Sequence, residues 1–534
     1  MNTKFIISAI GKLLQVLALI LLIPAGIAFF EISPKSIPQV LIDPRLAGFL
    51  IAIISSAITG LVLRFFGSGE IVGNGIRDGF AIVTFSWIIL TFFGSIPLVI
   101  YFLSQGDTVN LSSLIRAFTD SYFEIMSGFT TTGATIINDV EVIPRGILFW
   151  RSLTHWLGGM GIVTLALAIL PAFGIASYQM FRGEVPGPTA ERLRPRLAQT
   201  AKILWGAYAV LTLAEVILLR FGGMTMFDSF CHAFGTMATG GFSTKNASIG
   251  YYNSSYIDWV VLVFMFLAGM NFVIHYQVLF TRKLDLVKNN REFHFYAGVL
   301  VTAIILASVV LKMGGVSSPE QIRMSYRHEP LSASELIEKV DTEKAKIRTP
   351  YDTVRHAAFQ VVSITTTTGY TTADSDIWPN FIRFMLVVLM FFGGCAGSTG
   401  GGIKMVRIMI FLKTALREIK TIIQPRIIAP IKIAGKAIED KQIMNILGFI
   451  ALFLGCFVIF SAMMCYLIKD LTTAFVSVVA TMCNIGPGLS AVGATENYAW
   501  IPIPGKWILV ACMLLGRLEI YTVLIAFSPI SWRK

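Results

Sequence analysis

TTTTGYTT, Thr365 to Thr372, ends a short amphipathic segment that lies between two long apolar runs. Three further stretches stand in the same setting: TTTGAT (Thr130 to Thr135), TMATGGFST (Thr236 to Thr244) and CNIGPGLS (Cys483 to Ser490). They align on Gly133, Gly240, Gly369 and Gly486, which are 107, 129 and 117 residues apart. Phe123, Phe230 and Phe359 lie ten residues before the first three glycines, and Phe475 is displaced by one in the fourth copy. This spacing predicts one short helix packed the same way in each of four units.

Such stretches have a physical use inside a membrane. Exposed backbone at membrane depth is tolerated only within protein or along a wet cavity. Glycine lets successive carbonyls line up, threonine adds hydroxyl oxygen, and rings of oxygen replace the hydration shell of a cation. A short helix entering from outside also aims its negative C-terminal end at the membrane centre. The candidate ion-binding residues are Thr131, Thr132 and Gly133; Ala238, Thr239 and Gly240; Thr367, Thr368 and Gly369; Asn484, Ile485 and Gly486. Close helix packing by small residues would explain one such stretch, but four copies at matched positions favour the oxygen-lined path.

Composition puts these segments in a bilayer. Only 14% of the 534 residues are charged and 55% are hydrophobic, against about 25% charged in soluble domains. Apolar runs near the membrane-spanning length of about 20 residues fall at 5–30, 47–66, 78–103, 146–172, 201–220, 257–281, 294–313, 381–412, 444–468 and 505–528. The first run is too long for a signal peptide and lacks its cleavage pattern. The expected fold is an all-α polytopic membrane protein with four pseudo-repeated helix–pore loop–helix units around one pore, plus two N-terminal transmembrane helices. The extra spans occupy 1–70. The units occupy 71–180, 181–292, 293–425 and 426–534, the third with an external loop at 314–350 and a broken second helix.

Basic residues set the orientation. The stretch 404–441 carries nine Lys/Arg against three acids, and 182–202 carries five against two. Both fall inside, with both chain termini, if every Thr/Gly segment re-enters from outside without crossing. The net charge of +12 follows from this bias and does not call for nucleic acid. The six cysteines form no CxxC and the six histidines no HExxH, so neither a zinc centre nor an enzyme is expected. No Rossmann fingerprint is present and no cofactor is expected in the chain. No span carries arginine at every third position, which argues against a voltage sensor.

The second long run of each unit holds another alignable motif: LGGMG (Leu157 to Gly161), LAGMN (Leu267 to Asn271), FGGCA (Phe392 to Ala396) and LGRLE (Leu515 to Glu519). Its third position reads Gly159, Gly269, Gly394 and Arg517. An arginine near the middle of a span costs about 2.5–3.5 kcal/mol on insertion scales and usually faces a pathway. It is expected to form an electrostatic barrier below the filter, the other reading being an interhelical ion pair. In the third unit, GGCAGSTGGG places Gly393, Gly394, Gly397, Gly400, Gly401 and Gly402 within ten residues. This should break the helix into a loop beneath the filter, a candidate gate.

Together with RSLTHWLGGMGI (Arg151 to Ile162), these motifs resemble the Trk/Ktr/HKT superfamily of potassium transporters, and within it the TrkH branch. The two extra N-terminal spans and the long external loop favour that branch. The resemblance implies K⁺ as the transported ion, filter glycines at Gly133, Gly240, Gly369 and Gly486, and an intramembrane gating loop at Gly393 to Gly402 beside Arg517. It also implies a homodimer in the lipid of a bacterial inner (cytoplasmic) membrane, regulated by a cytoplasmic nucleotide-binding TrkA-type subunit. The stretches 182–202 and 404–441 are the candidate docking surfaces. Preference for K⁺ over Na⁺ comes from the resemblance and not from spacing. Coupling to H⁺ or Na⁺, or conduction of Na⁺, remains an alternative use of the same pore.

Overall fold

A computed structural model of the chain describes residues 1–32, 37–67, 76–106, 109–161, 197–282, 285–316, 333–427, 430–433 and 436–532. The expected span at 146–172 beyond residue 161, and the basic stretch 182–196, lie outside the described residues. The chain is a multi-pass helical membrane protein. Six described helices have the length and apolarity to cross a bilayer, and two bent helix pairs have it when each pair is taken together.

Two of the six precede the repeats. Thr3–Glu31 and Pro44–Phe66 meet at Gly11 and Gly60, where a Cβ on Gly11 would sit 2.7 Å from the Gly60 carbonyl. Within a bilayer, lipid is as apolar as leucine, so such close backbone approach replaces hydrophobic drive.

Each unit then opens with one long helix: Ile76–Ser104, Leu197–Phe221, Arg291–Gly314 and Asp440–Leu467. A short pore helix follows: Leu111–Phe129, Met226–Met237, Pro350–Thr365 and Leu471–Met482. The pore helices start for one local reason. Asn110, Thr225, Thr349 and Asp470 each accept a hydrogen bond from the backbone N–H three residues on, filling an orphan donor of the first turn. Within 314–350, Ala333–Lys346 forms a further helix. Lys432–Ile433 and Lys436–Ala437 make a two-residue hairpin, the one strand pair among the described residues.

The second helices are not the continuous spans that apolarity predicts. Helix Arg145–Gly159 stops at the LGGMG motif. Ser255–Ala268 turns by 106° into a helix that begins at Phe272, and Ile503–Arg517 turns by 112° into Ile520–Phe527. Asn380–Met390 and Met405–Ile423 are separated by the whole glycine-rich segment. The expected break of unit 3 is therefore a general feature: all four second helices end at the same motif. Arg517 is the last residue of its helix rather than the middle of a span.

Candidate functional site

All four pore helices end in one backbone turn. Thr131, Thr239, Thr367 and Asn484 are left-handed, with φ of 52°, 54°, 61° and 56°. The next residue bonds back five positions at 2.8 Å in every unit: Thr132 N to Ser127 O, Gly240 N to Gly235 O, Thr368 N to Ser363 O, Ile485 N to Ala480 O. One residue further, Gly133, Gly241, Gly369 and Gly486 have φ of 80°, 80°, 82° and 95°. This corrects the expected register of the second unit by one residue. Its equivalent triplet is Thr239, Gly240 and Gly241, not Ala238, Thr239 and Gly240. The phenylalanines fit the correction: Phe230 and Phe475 both lie eleven residues before their glycine, Phe123 and Phe359 ten.

These glycines close a ring. A Cβ on Gly133 would fall on the Gly240 carbonyl, on Gly241 on that of Thr368, on Gly369 on that of Ile485, and on Gly486 on that of Thr132. Each unit thus presses its glycine against the carbonyl just before the next unit's glycine, in the order 1, 2, 3, 4 and back to 1. A side chain at any of the four would displace its neighbour's backbone. All four glycines also line one cavity of about 120 Å³.

The loops leaving the ring are tied in the same cyclic order. Val140 N donates to Asn246 Oδ1 (2.9 Å), Gly250 N to Thr371 O (3.0 Å), Ser490 N to Asp376 Oδ1 (2.8 Å) and Tyr498 N to Thr135 O (2.8 Å). Beside this loop face, Lys339 of the 333–346 helix pairs with Asp374 at 2.9 Å. Burial, and then the Asp374 carboxylate, push Asp376 up to about 8, outweighing the Ser490 N–H and the Arg383 guanidinium 3.7 Å away.

On the opposite side of the ring lies the layer where the second helices break. Gly158 and Gly516 let their helices press on the carbonyls of Phe129 and Met482, four residues before the ring glycines of units 1 and 4. Gly159 and Gly269 abut the pore-helix ends of the following units, at Ala238 and Thr366. Arg517 holds this third position in unit 4. Its guanidinium donates to Thr399 O at 2.7 Å, to Gly159 O at 3.0 Å and to Gly158 O. It therefore joins unit 3's loop to unit 1's helix end through these carbonyls.

The glycine-rich loop crosses directly under the ring. Its neck is closed by Gly393 N to Ile403 O (2.9 Å) and Ile403 N to Phe391 O (3.1 Å). Thr399 Oγ1 donates to Met237 O (3.1 Å) and meets Thr239 Oγ1 at 3.3 Å. Gly401 N donates to Thr367 Oγ1 at 2.7 Å, and a Cβ on Gly401 would lie 2.9 Å from that of Asn484. Three of the four left-handed residues thus touch the loop. Lys404 reaches back to the Gly400 carbonyl, and Glu292 accepts from Ala396 N at 2.7 Å and Val406 N at 3.2 Å. Gly397 and Gly402 take φ of 77° and 62°, which side chains disfavour.

Reading the sequence finds the ring and the loop but misses the groups that hold them. Thr399 sits between the glycines as an ordinary small residue. Glu124 and Arg151 form a 2.7 Å ion pair at 0% and 2% exposure behind the ring. The signal for that pair was available: two charges inside otherwise apolar segments.

Comparison with known proteins bears on the family and the fold. The family model TrkH, described as a cation transport protein, matches residues 47–534. The Trk system potassium uptake protein TrkH of Escherichia coli (strain K12) is 38% identical over 459 residues, 86% of each chain. The protein of the same name from Halomonas elongata is 35% identical over the full length of both chains. The crystal structure of the potassium transporter TrkH from Vibrio parahaemolyticus superposes with a TM-score of 0.80 at 32% identity, covering 100% of both chains.

Proposed function

The chain belongs to the TrkH family of cation transport proteins, and from that premise we propose that it takes up K⁺ across the inner (cytoplasmic) membrane of a bacterium by conduction through the four-unit ring. The observation that carries the proposal is the closed cycle of glycine against neighbouring carbonyl. A ring of four backbone oxygens supplied by four equivalent turns is what a dehydrating cation needs. The filter residues in the corrected register are Thr131, Thr132 and Gly133; Thr239, Gly240 and Gly241; Thr367, Thr368 and Gly369; Asn484, Ile485 and Gly486. The loop face is the outer side, where K⁺ enters.

Gly393 to Gly402 is the gate, and it stands shut. Its contacts with Thr239, Thr367 and Asn484 put backbone across the exit of the ring. Arg517 holds it there and adds positive charge on the path. A second copy of this chain and a cytoplasmic TrkA-type nucleotide-binding subunit complete the assembly, the latter docking on the basic stretch 404–441. The protein is a transporter and not an enzyme.

The test is K⁺ uptake in cells lacking their own potassium transporters. Gly369→Ser loses uptake or ion preference, and Arg517→Ala raises flux. Unchanged uptake and ion preference in the first variant removes the filter assignment, and reduced flux in the second removes the barrier.

A further inference from the structure

Every pore helix carries a polar side chain nine residues before its ring glycine: Glu124, His232, Gln360 and Ser477. In three units it reaches forward to the segment leaving the ring. Glu124 Oε1 accepts from Thr135 Oγ1 at 3.0 Å and Glu124 Oε2 from Ile136 N at 2.9 Å, two and three residues past Gly133. His232 Nε2 meets Ser243 Oγ at 3.0 Å, two residues past Gly241. Because His232 Nδ1 lies 2.8 Å from the Asp228 carbonyl, it holds the proton, and Nε2 accepts from the serine. Gln360 Nε2 donates to Ala373 O at 3.4 Å, and one turn earlier His356 Nδ1 meets Thr372 Oγ1 at 2.9 Å. In unit 4, Ser477 turns back to Ala474 O, and Tyr498 hydroxyl donates to the Gly486 carbonyl at 2.7 Å instead.

In unit 1 this tie is a buried ion pair, whereas in unit 2 Asp228 Oδ1 accepts from Thr244 Oγ1 at 2.6 Å and in unit 4 Asp470 Oδ2 accepts from Ser490 Oγ at 3.2 Å. Arg151 Nε donates to Glu124 at 2.7 Å and Arg151 Nη2 to Thr135 Oγ1 at 3.2 Å. Packing does not require it, since apolar residues of similar volume commonly replace a buried ion pair at no loss. The pair also reaches the next unit. Arg151 lies 4.1 Å from the ring of Phe242, and His155 stacks on the same ring at 4.1 Å. Phe242 directly follows Gly241.

We infer that Glu124 and Arg151 are positioning residues for ion selectivity, stapling the segment after Gly133 to its pore helix and bracing Gly241 through Phe242. The inference rests on the filter reading proposed above. Discrimination between ions depends on how many oxygens face the ion and how firmly they are held. The staple fixes the second of these, and Arg151 also lines the cavity that the four ring glycines share.

The test uses the full chain in liposomes, comparing K⁺ and Na⁺ flux for Glu124→Gln, Arg151→Gln and the double variant, with thermal unfolding recorded for each. Each single variant lowers the K⁺/Na⁺ flux ratio about tenfold, the scale of one lost charge-assisted hydrogen bond. The double variant recovers part of the thermal stability, because no charge is left buried alone, but keeps the lowered ratio. A folded single variant with an unchanged ratio overturns the inference. If neither single variant folds, the double variant decides: an unchanged ratio there overturns it equally. Gly241→Ser serves as the control. If it too leaves the ratio unchanged, the filter reading itself has failed; if it changes the ratio while the staple variants do not, only this inference has.

Discussion

The ring and the layer where the second helices break lie one against the other, yet they use the four units in opposite ways. In the ring, three different sequences in four units (TTG, TGG, TTG and NIG) adopt one turn, with left-handed angles agreeing within about ten degrees at the residue before the carbonyl. Threonine there is strained by about 1–3 kcal/mol, and the strain recurs because the ring imposes it. In the break layer the matched position holds Gly159, Gly269, Gly394 and Arg517, and among the described residues only unit 3 inserts a long loop there. A coordination shell needs equivalent oxygens, so the path is built alike from all units. The proposed gate instead needs one moving part and one latch, assigned to units 3 and 4.

The sharpest way to break this comparison is to add a side chain to the ring. Gly241→Ser places a Cβ on the Thr368 carbonyl at φ 80°. K⁺ uptake should fall by about a hundredfold or more, as a displaced filter carbonyl costs several kcal/mol. Activity near that of the unmodified chain would mean the corrected register is wrong. The same change in the break layer should act in the opposite direction. Arg517→Ala removes three hydrogen bonds to carbonyls and should raise flux about tenfold, measured as uptake at fixed expression. Thr399→Val keeps the shape but loses the bonds to Met237 O and Thr239. Its flux should rise about threefold, the scale of one neutral hydrogen bond.

The ring's repetition was legible because each copy is local: helix cap, short amphipathic run, glycine. Its register in unit 2 was not, because Gly240 and Gly241 are adjacent and the phenylalanine spacing fits either. The deciding feature is the left-handed residue two positions before the glycine; with Gly240 it would be Ala238, and with Gly241 it is Thr239, matching Thr131 and Thr367. The glycine-rich loop and Arg517 stood out as exceptions within apolar runs. The bends at Gly269–Asn271 and Leu518–Glu519 did not, since the apolar run resumes at once on the far side of each. Asn271, which caps the new helix by accepting from Val273 N, was the one local clue. The pairing of Arg407 with Glu519 at 2.9 Å joins residues from units 3 and 4 and has no local signature.

A different kind of effect, on stability rather than flux, is expected on the loop face, where unit 3 meets unit 4. Asp376, pushed up to about 8 by burial and then by Asp374, holds a proton in the folded chain that the unfolded chain releases near pH 4. Between those values the native state binds more protons than the unfolded state, so this group's contribution to stability falls as pH rises. Asp376→Asn should therefore gain on the unmodified chain in thermal unfolding between pH 5 and pH 8, by about 1.4 kcal/mol per pH unit at most. A margin independent of pH would show that Asp376 is already ionised at pH 5.

The central claim is that the four carbonyls of Thr132, Gly240, Thr368 and Ile485 hold the transported ion together. Anomalous diffraction from crystals soaked in Tl⁺ or Rb⁺ tests it directly. The account predicts an ion peak on the ring axis within coordination distance of all four oxygens, lost in Gly241→Ser. A peak bound by one or two units only, or none at the ring while the ion is seen elsewhere, would contradict it.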